Sequence, residues 1–349
     1  MGGPSYMRLM FKPGSRNLIT DVDGIKVGHA QDAKVLTGTT VLAADRRLTA
    51  SVDVRGGGPG TRETDALDAS CLVDDVDAIV LSGGSSYGLA AASGVAAKLG
   101  ARGQGFQIPG APRVSPIVPA AILFDISNGG DKDWGEHPPY DALGRDALDA
   151  VSNDVALGNV GAGLGAKAGA YKGGIGSASA VSDTGLKVGA LVAVNPFGSP
   201  VMPGSTAFWA WPFEQEGEFG GARPSTGATS PMGLPDDTKA GAAPAPGANT
   251  TIGIVATNVA LTPSELKRVA MMAHDGYARA IRPIHTMGDG DVVFAVSTAD
   301  LEGEEPRAGA VSIIGSLAAD CMARAIARGV YAAESIGGMQ SYRDLFGVA

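Results

Sequence analysis

A mixed α/β (α+β) fold is what this sequence of 349 residues predicts, on three observations. Short runs of β-branched and apolar residues alternate with helical runs of small residues, the order expected of a mixed architecture. Hydrophobic residues make up 44% of the chain, enough at this length for a sizeable core. Glycine reaches 52 residues, about twice ordinary usage. No Gly-X-Y period runs through the chain, so that excess belongs to turns and close backbone approaches rather than to collagen or disorder.

Taken in order, residues 39–42 (TTVL), 50–54 (ASVDV) and 78–81 (AIVL) read as buried strands. Residues 89–99 (LAAASGVAAKL) read as a helix whose small residues allow close packing, and 141–151 (DALGRDALDAV) as a second, with Leu143, Ala147, Leu148 and Val151 on one face. Residues 185–194 (GLKVGALVAV) form a strand ending at Asn195-Pro196. From 222 to 248 the chain is rich in Pro, Gly, Ala, Ser and Thr with hardly a large apolar residue, which predicts an exposed loop. A strand resumes abruptly at 250–257 (TTIGIVAT). Thr262-Pro263-Ser264-Glu265 then carries an N-cap, a first-turn proline and a capping box, opening a helix with Leu266, Val269, Ala270, Ala273, Tyr277 and Ile281 on one stripe. Residues 291–298 (DVVFAVST) are a strand and 308–334 hold a long apolar-faced helix.

Several function classes are excluded by composition. The 27 basic residues are outnumbered by 36 acidic ones, for a net charge of −9, and no Lys/Arg run reaches four, so nucleic acid is not an expected partner. Cys71 and Cys321 stand far apart with no paired spacing, and His29, His137, His274 and His285 show none either. No metal and no organic cofactor is expected. Residues 1–17 lack a signal-peptide core, Tyr6 fills the position a myristoylation signal needs as Ser or Thr, and no apolar stretch approaches about 18 residues. A cytoplasmic protein without a membrane partner is the expectation.

One glycine-rich pattern and one loop–strand junction invite a catalytic reading. No GxxxxGK[ST] phosphate loop occurs in the chain. Residues 84–88 (GSSYG) match a GxSxG elbow between a strand and a helix, with Ser86 as nucleophile and His285 as base. The acid and histidine do not follow the order such hydrolases use, and a plain strand–helix turn explains the pattern as well. Asn249-Thr250 is a different case, because a polar loop runs directly into a buried-strand pattern. Scission there would make Thr250 an N-terminus whose hydroxyl is the nucleophile and whose α-amine, with a pKa of about 7.7–8.0, is the base. Ordinary β-propensity of Thr-Thr is the alternative.

The chain resembles the N-terminal-nucleophile hydrolases that include the L-aminopeptidase/D-Ala-esterase-amidases, the β-peptidyl aminopeptidases and the nylon-oligomer (6-aminohexanoate-oligomer) endohydrolases. The resemblance rests on NLITDVDGIKVGHA (17–30), VDVRGGGPGTRETD (52–65), VLSGGSSYGLAAASGV (80–95), ILFDISNGGDKDWGEHPPY (122–140), NVGAGLGAKAGAYKGGIGSAS (159–179), ALVAVNPFG (190–198), ANTTIGIVATN (248–258) and IRPIHTMGDGD (281–291). It implies one catalytic domain over 1–349, folded as a four-layer αββα sandwich and self-cleaved between Asn249 and Thr250. The large piece would be 1–249 and the small piece 250–349, the two staying associated, with 222–248 as the loop that exposes the bond to be cut. Thr in an NTTI setting and Asp289-Gly290-Asp291 make the nylon-oligomer hydrolases the most similar branch.

By the same resemblance Thr250 is nucleophile and base, and Asn195 holds the oxyanion or positions Thr250. Tyr140 contacts substrate or the Thr amine, while Asp289 and Asp291 orient that amine. The family's catalytic lysine falls where this chain has Ala170. Lys172, two residues on, takes the role here, with Lys167 three before and a solvated turn lysine as the plain alternative for Lys172. The implied substrate is a small linear amide, peptide or oligoamide, and a homotetramer or other homo-oligomer is expected. An aminopeptidase or D-amino-acid amidase/esterase, an autocleaved acyltransferase, and an inactive scaffold are the other readings.

Overall fold

Residue alternation along the strands sorts most of the apolar side chains into three main cores, with a small fourth cluster at Leu36, Leu164 and Met339, and three stacked cores require four layers. The computed structural model describes residues 10–229, 232–241, 249–301 and 307–348. Its main elements are β1 (Ile25–Asp32), β2 (Thr37–Val54), β3 (Asp75–Ser82), α1 (Ala90–Ala101), β4 (Ala120–Ile122), α2 (Tyr140–Asp149), β5 (Ile175–Ser182), β6 (Lys187–Asn195), β7 (Thr250–Val259), α3 (Pro263–Ala280), β8 (Val292–Leu301), α4 (Arg307–Ala332) and α5 (Tyr342–Phe346).

The strands hydrogen-bond in the order β5-β6-β7-β8-β2-β3-β4, with β1 on the first half of β2. Where the sequence suggested two strands at 39–42 and 50–54, β2 runs unbroken from Thr37 to Val54. Its register against β3 breaks between Ala43 and Leu48, and beyond that break Thr49–Val54 pair with β8. One strand thus belongs to both sheet layers, and the break is the bulge that lets it change layers.

Ile252, Ile254 and Ala256 of β7 and Val292, Phe294 and Val296 of β8 face Leu42, Leu48, Ile79 and Leu81 in the middle core between the sheets. The alternate residues Val255, Val293, Val192 and Val194 face α3 and α4. On the far side Val41, Ala43, Ala78 and Val80 pack under α1 and α2. This is the αββα sandwich. Period-2 patterning on strands buried on both faces fixes it.

The helices follow their local signals. Thr262 and Glu265 form the reciprocal capping box at the start of α3, with Thr262 N donating to Glu265 Oε2 at 2.8 Å. Small residues bring α1 and α2 together, since a Cβ on Gly144 would stand 2.1 Å from Ala91 O. Contrary to the sequence expectation, α4 is long and apolar enough to cross a membrane, with mean hydropathy 1.5 in an 18-residue window. That window is 72% buried inside the protein, because α4 is the centre of its helical layer.

The exposed loop expected over 222–248 holds only in part. Residues 230–231 and 242–248 lie outside the described residues, as do 1–9. Residues 235–239 turn back into the protein, where Ala170 N donates to Asp237 O at 2.7 Å and Lys239 N to Phe197 O at 3.0 Å. Polar anchoring, which composition does not register, does what apolar burial does elsewhere.

Candidate active site

β7 begins at Thr250, between β6 and β8, and Asn195 at the end of β6 stands directly opposite it in the antiparallel ladder. The peptide bond between Asn249 and Thr250 is buried, with the two residues 3% and 1% exposed. This differs from the expectation of an exposed bond, because β pairing extends one residue upstream of the strand through a bridge between Asn249 and Asp289. The carbonyl oxygen of Asn249 accepts the N–H of Gly290 at 2.8 Å and the hydroxyl of Thr250. Gly290 is packed tightly against the site, as a Cβ there would lie 2.8 Å from Thr250 Oγ1.

Asp289 and Asp291 flank Gly290 and are fully buried. Asp289 Oδ1 accepts from Phe197 N at 3.0 Å, and its Oδ2 accepts from Thr286 N at 2.8 Å and Thr286 Oγ1 at 2.6 Å. Asp291 Oδ1 accepts from Thr251 N at 2.7 Å, while Oδ2 faces His285 N at 3.1 Å and Nδ1 at 2.8 Å. Burial raises the Asp291 pKa, opposed by the His285 bond and reinforced by repulsion from Asp289. The glycine-rich run after β2 clamps the outside of this turn: Gly56 N donates to Asp291 O, Gly57 N to Thr286 O and Gly58 N to Asp289 O.

The Asn195 amide is fixed on both sides. Its Oδ1 accepts from Lys167 N at 2.8 Å and Lys239 Nζ at 3.2 Å, and its Nδ2 donates to Phe124 O at 3.1 Å. The Lys239 amine also donates to Asn195 O at 3.1 Å. Burial lowers its pKa to about 7, opposed by the attraction of Asp289 and aided by repulsion from Lys167.

Lys172 and Tyr140 belong to a neighbouring cluster. Lys172 is fully buried, which removes the solvated-turn reading, and its amine donates to Gly163 O at 2.8 Å and Gly173 O at 2.7 Å. Burial lowers its pKa to about 7, with Asp125 opposing. Tyr140 is buried at the start of α2, its hydroxyl 3.4 Å from Thr37 Oγ1, which donates to Asp125 at 2.6 Å. Asp125 follows Phe124, the acceptor of Asn195 Nδ2, so the two clusters meet at that residue pair.

Of the residues singled out in the sequence, the structure brings Thr250, Asn195, Asn249, Asp289 and Asp291 together, and sets Lys172 and Tyr140 in the adjoining cluster. Ser86 is exposed on a turn before α1, and His285 bonds to Asp291, so the serine elbow gives way to a strand–helix turn. Lys239, Asp125 and the Gly290 N–H were missed. Lys239 is the only lysine of 222–248, the one signal the sequence offers for it, and Gly290 contributes only a backbone N–H between Asp289 and Asp291. Among the described residues no group of three His, Cys, Asp or Glu side chains could hold a metal ion.

The chain matches peptidase family S58 over residues 17–343. It belongs to that family. As an S58 member it is a hydrolase of amide or peptide bonds. An uncharacterized aminopeptidase of Mycobacterium tuberculosis is 43% identical over 351 residues, covering 95% of this chain and 98% of the relative. A 6-aminohexanoate-oligomer endohydrolase of Kocuria sp. is 31% identical over 325 residues, covering 86% of this chain and 81% of the relative. The same fold is seen in two solved structures. The Burkholderia sp. β-aminopeptidase aligns with TM-score 0.69 at 24% identity, over 96% of this chain and 92% of that one. The L-aminopeptidase D-Ala-esterase/amidase from Ochrobactrum anthropi, a variant of the Ntn hydrolase fold, aligns with TM-score 0.67 at 22% identity over 96% of both chains.

Proposed function

We propose that this S58 hydrolase is made by self-cleavage between Asn249 and Thr250 and then uses Thr250 as an N-terminal nucleophile on linear amides. The observation that carries this reading is the hold on the Asn249 carbonyl: its oxygen takes the Gly290 N–H at 2.8 Å and the Thr250 hydroxyl, at a bond buried in the sheet. In self-cleavage Thr250 Oγ1 adds to the Asn249 carbonyl carbon, and the developing oxyanion faces a fixed backbone donor. The C–N bond then breaks, the hydroxyl proton ends on the Thr250 nitrogen, and an ester remains. Water splits that ester to an Asn249 carboxylate and a free Thr250 hydroxyl. The freed α-amine next serves as base: it takes the Oγ1 proton as Oγ1 attacks a substrate amide, and passes it to the departing amine. Water then releases the acyl group. Asn195, opposite Thr250 in the ladder, would position Thr250 in both reactions and hold the substrate oxyanion.

Two pieces of 249 and 100 residues would stay together for physical reasons. The small piece supplies β7, β8, α3 and α4, whose faces fill two of the three cores. Arg324 and Arg328 of α4 also reach into the large piece, at Glu218, Asn17 and Ser177.

The relatives put two substrate classes forward, amino-terminal peptide bonds and 6-aminohexanoate oligomers, and we propose linear amides as what they share. A denaturing gel of purified wild type tests the core of the reading. Bands near about 25 and about 10 kDa are expected in place of 35.0 kDa, with Thr at the new N-terminus. Thr250→Ala should give one full-length band and no hydrolysis of β-peptides, D-amino-acid amides or 6-aminohexanoate oligomers. A full-length wild type, or two bands from Thr250→Ala, would overturn it.

A further inference from the structure

We propose that Lys239 is a positioning residue of this site, acting through the Asn195 amide in both self-cleavage and turnover. The inference rests on the reading of Thr250 as nucleophile. It names a residue from a segment whose composition suggests nothing but loop.

The geometry is specific. The Lys239 amine makes two bonds to one residue, 3.1 Å to Asn195 O and 3.2 Å to Asn195 Oδ1. A carboxamide has two nearly equivalent faces, and its orientation follows from which donors and acceptors surround it. Here Lys239 Nζ and Lys167 N at 2.8 Å both point at one atom, which makes it the oxygen and turns Nδ2 away from the lysines. Without the amine, one donor instead of two holds the amide, directly across from Thr250.

Lys239 is also tied to the other flank of the nucleophile. Its N–H donates to Phe197 O at 3.0 Å, and Phe197 N donates at 3.0 Å to Asp289, the partner of Asn249 across the parallel bridge. The segment that leads to the cut therefore presses against both neighbours of Thr250. The charged groups facing the amine are Asp289, which favours its protonation, and Lys167, which opposes it.

The test follows self-cleavage of full-length chain in pulse-labelled cell-free translation, with the melting temperature of each product. Lys239→Met keeps the aliphatic stem and removes the donor, and should slow cleavage by roughly 10- to 100-fold, the usual effect of a sub-ångström misplacement at a reacting centre. Lys239→Arg keeps donor and charge and should recover cleavage to within about fivefold of wild type. Asn195→Ala should itself slow cleavage by about 10²-fold or more, and adding Lys239→Met to it should change the rate by less than about twofold, because the lysine acts through that amide. Wild-type rates in Lys239→Met, or independent multiplication of the two defects, would overturn the assignment. So would an Arg variant as slow as Met with both melting temperatures lowered. If Thr250→Ala still yields two bands, the nucleophile reading has failed instead. If Thr250→Ala blocks cleavage while Lys239→Met cleaves normally, only the lysine's role has failed.

Discussion

Replacing Gly290 by Ala tests the site at its tightest point. The substitution keeps the N–H that donates to Asn249 O, so it removes no hydrogen bond. What it adds is a methyl group whose carbon would lie 2.8 Å from Thr250 Oγ1 and 2.8 Å from Gly58 O. Non-bonded heavy atoms settle at about 3.5–4.0 Å, so the hydroxyl, the Gly58 backbone and the turn must share a shift of roughly 0.7–1 Å. Overpacking of this kind costs about 1–3 kcal/mol, which a chain with three cores survives. Catalysis is more demanding, since a displacement near 1 Å at a reacting atom costs about 10²-fold. Gly290→Ala is therefore expected to fold, to melt a few degrees lower and to cleave roughly 10- to 100-fold more slowly. The time course is read on denaturing gels after pulse labelling, with intact mass to locate the cut. In a Thr250→Ser background the hydroxyl has no γ-methyl and can swing aside, so the penalty should shrink below about tenfold. If Gly290→Ala cleaves at the wild-type rate with its fold intact, the placement of Gly290 against the reacting hydroxyl is wrong.

Other consequences follow from named groups. Glu218→Ala leaves Arg324 and Arg328 without the carboxylate they share in the protein interior, and should cost about 3–5 kcal/mol, read as a lower urea midpoint of the assembled pieces. Lys172 is pulled from its ordinary value of about 10.4 down to about 7. Between those values the unfolded chain binds the extra proton, so this lysine makes stability rise with pH there, by about 1.4 kcal/mol per unit, and contributes no slope below about pH 6. Lys172→Met should flatten that rise in denaturant titrations run from pH 7 to 10. Turnover should increase with pH through about 7.7–8.0 as the Thr250 amine loses its proton. Asp291→Asn removes an anion one residue from that amine, so the rising limb of the pH–rate profile should move to lower pH.

Much of the fold was legible because most strands are buried on both faces and most helices carry their own start signals. Residues 250–257 and 262–265 are the clearest cases, where a β-branched run and a capping box marked two boundaries to the residue. The bend in β2 was not legible: exposed Arg46 and the acidic and basic residues beside it look like a turn between two strands, and only the layer change explains why the chain continues. The site residues quoted from motifs came together where main-chain register places them, Asn195 and Thr250 as partners in a ladder and Asp289 and Asp291 on one turn. Lys239 was invisible for a physical reason. A lysine in a Pro/Ala-rich stretch carries no periodicity, and its importance comes from two hydrogen bonds to a residue 44 positions earlier.

Burial of the Asn249–Thr250 bond bears on who would cut it. An outside protease binds its substrate as an extended, accessible strand, and these two residues are 3% and 1% exposed, held by Gly288 O, Gly290 N and the β6 ladder. Reaching the bond from outside would mean stripping β7 from the middle of the sheet, opening two cores at once. The Thr250 hydroxyl needs no such opening, because it already hydrogen-bonds the carbonyl it would attack. The Pro/Ala-rich segment then matters less as bait for a protease, since an attack by Thr250 would need no access from outside. On this argument, lengthening that segment within 242–248 should leave the cleavage rate nearly unchanged. Moving the cut one residue along β7 should abolish it, because the register of Asn195, Asp289 and Gly290 is fixed to Thr250 alone.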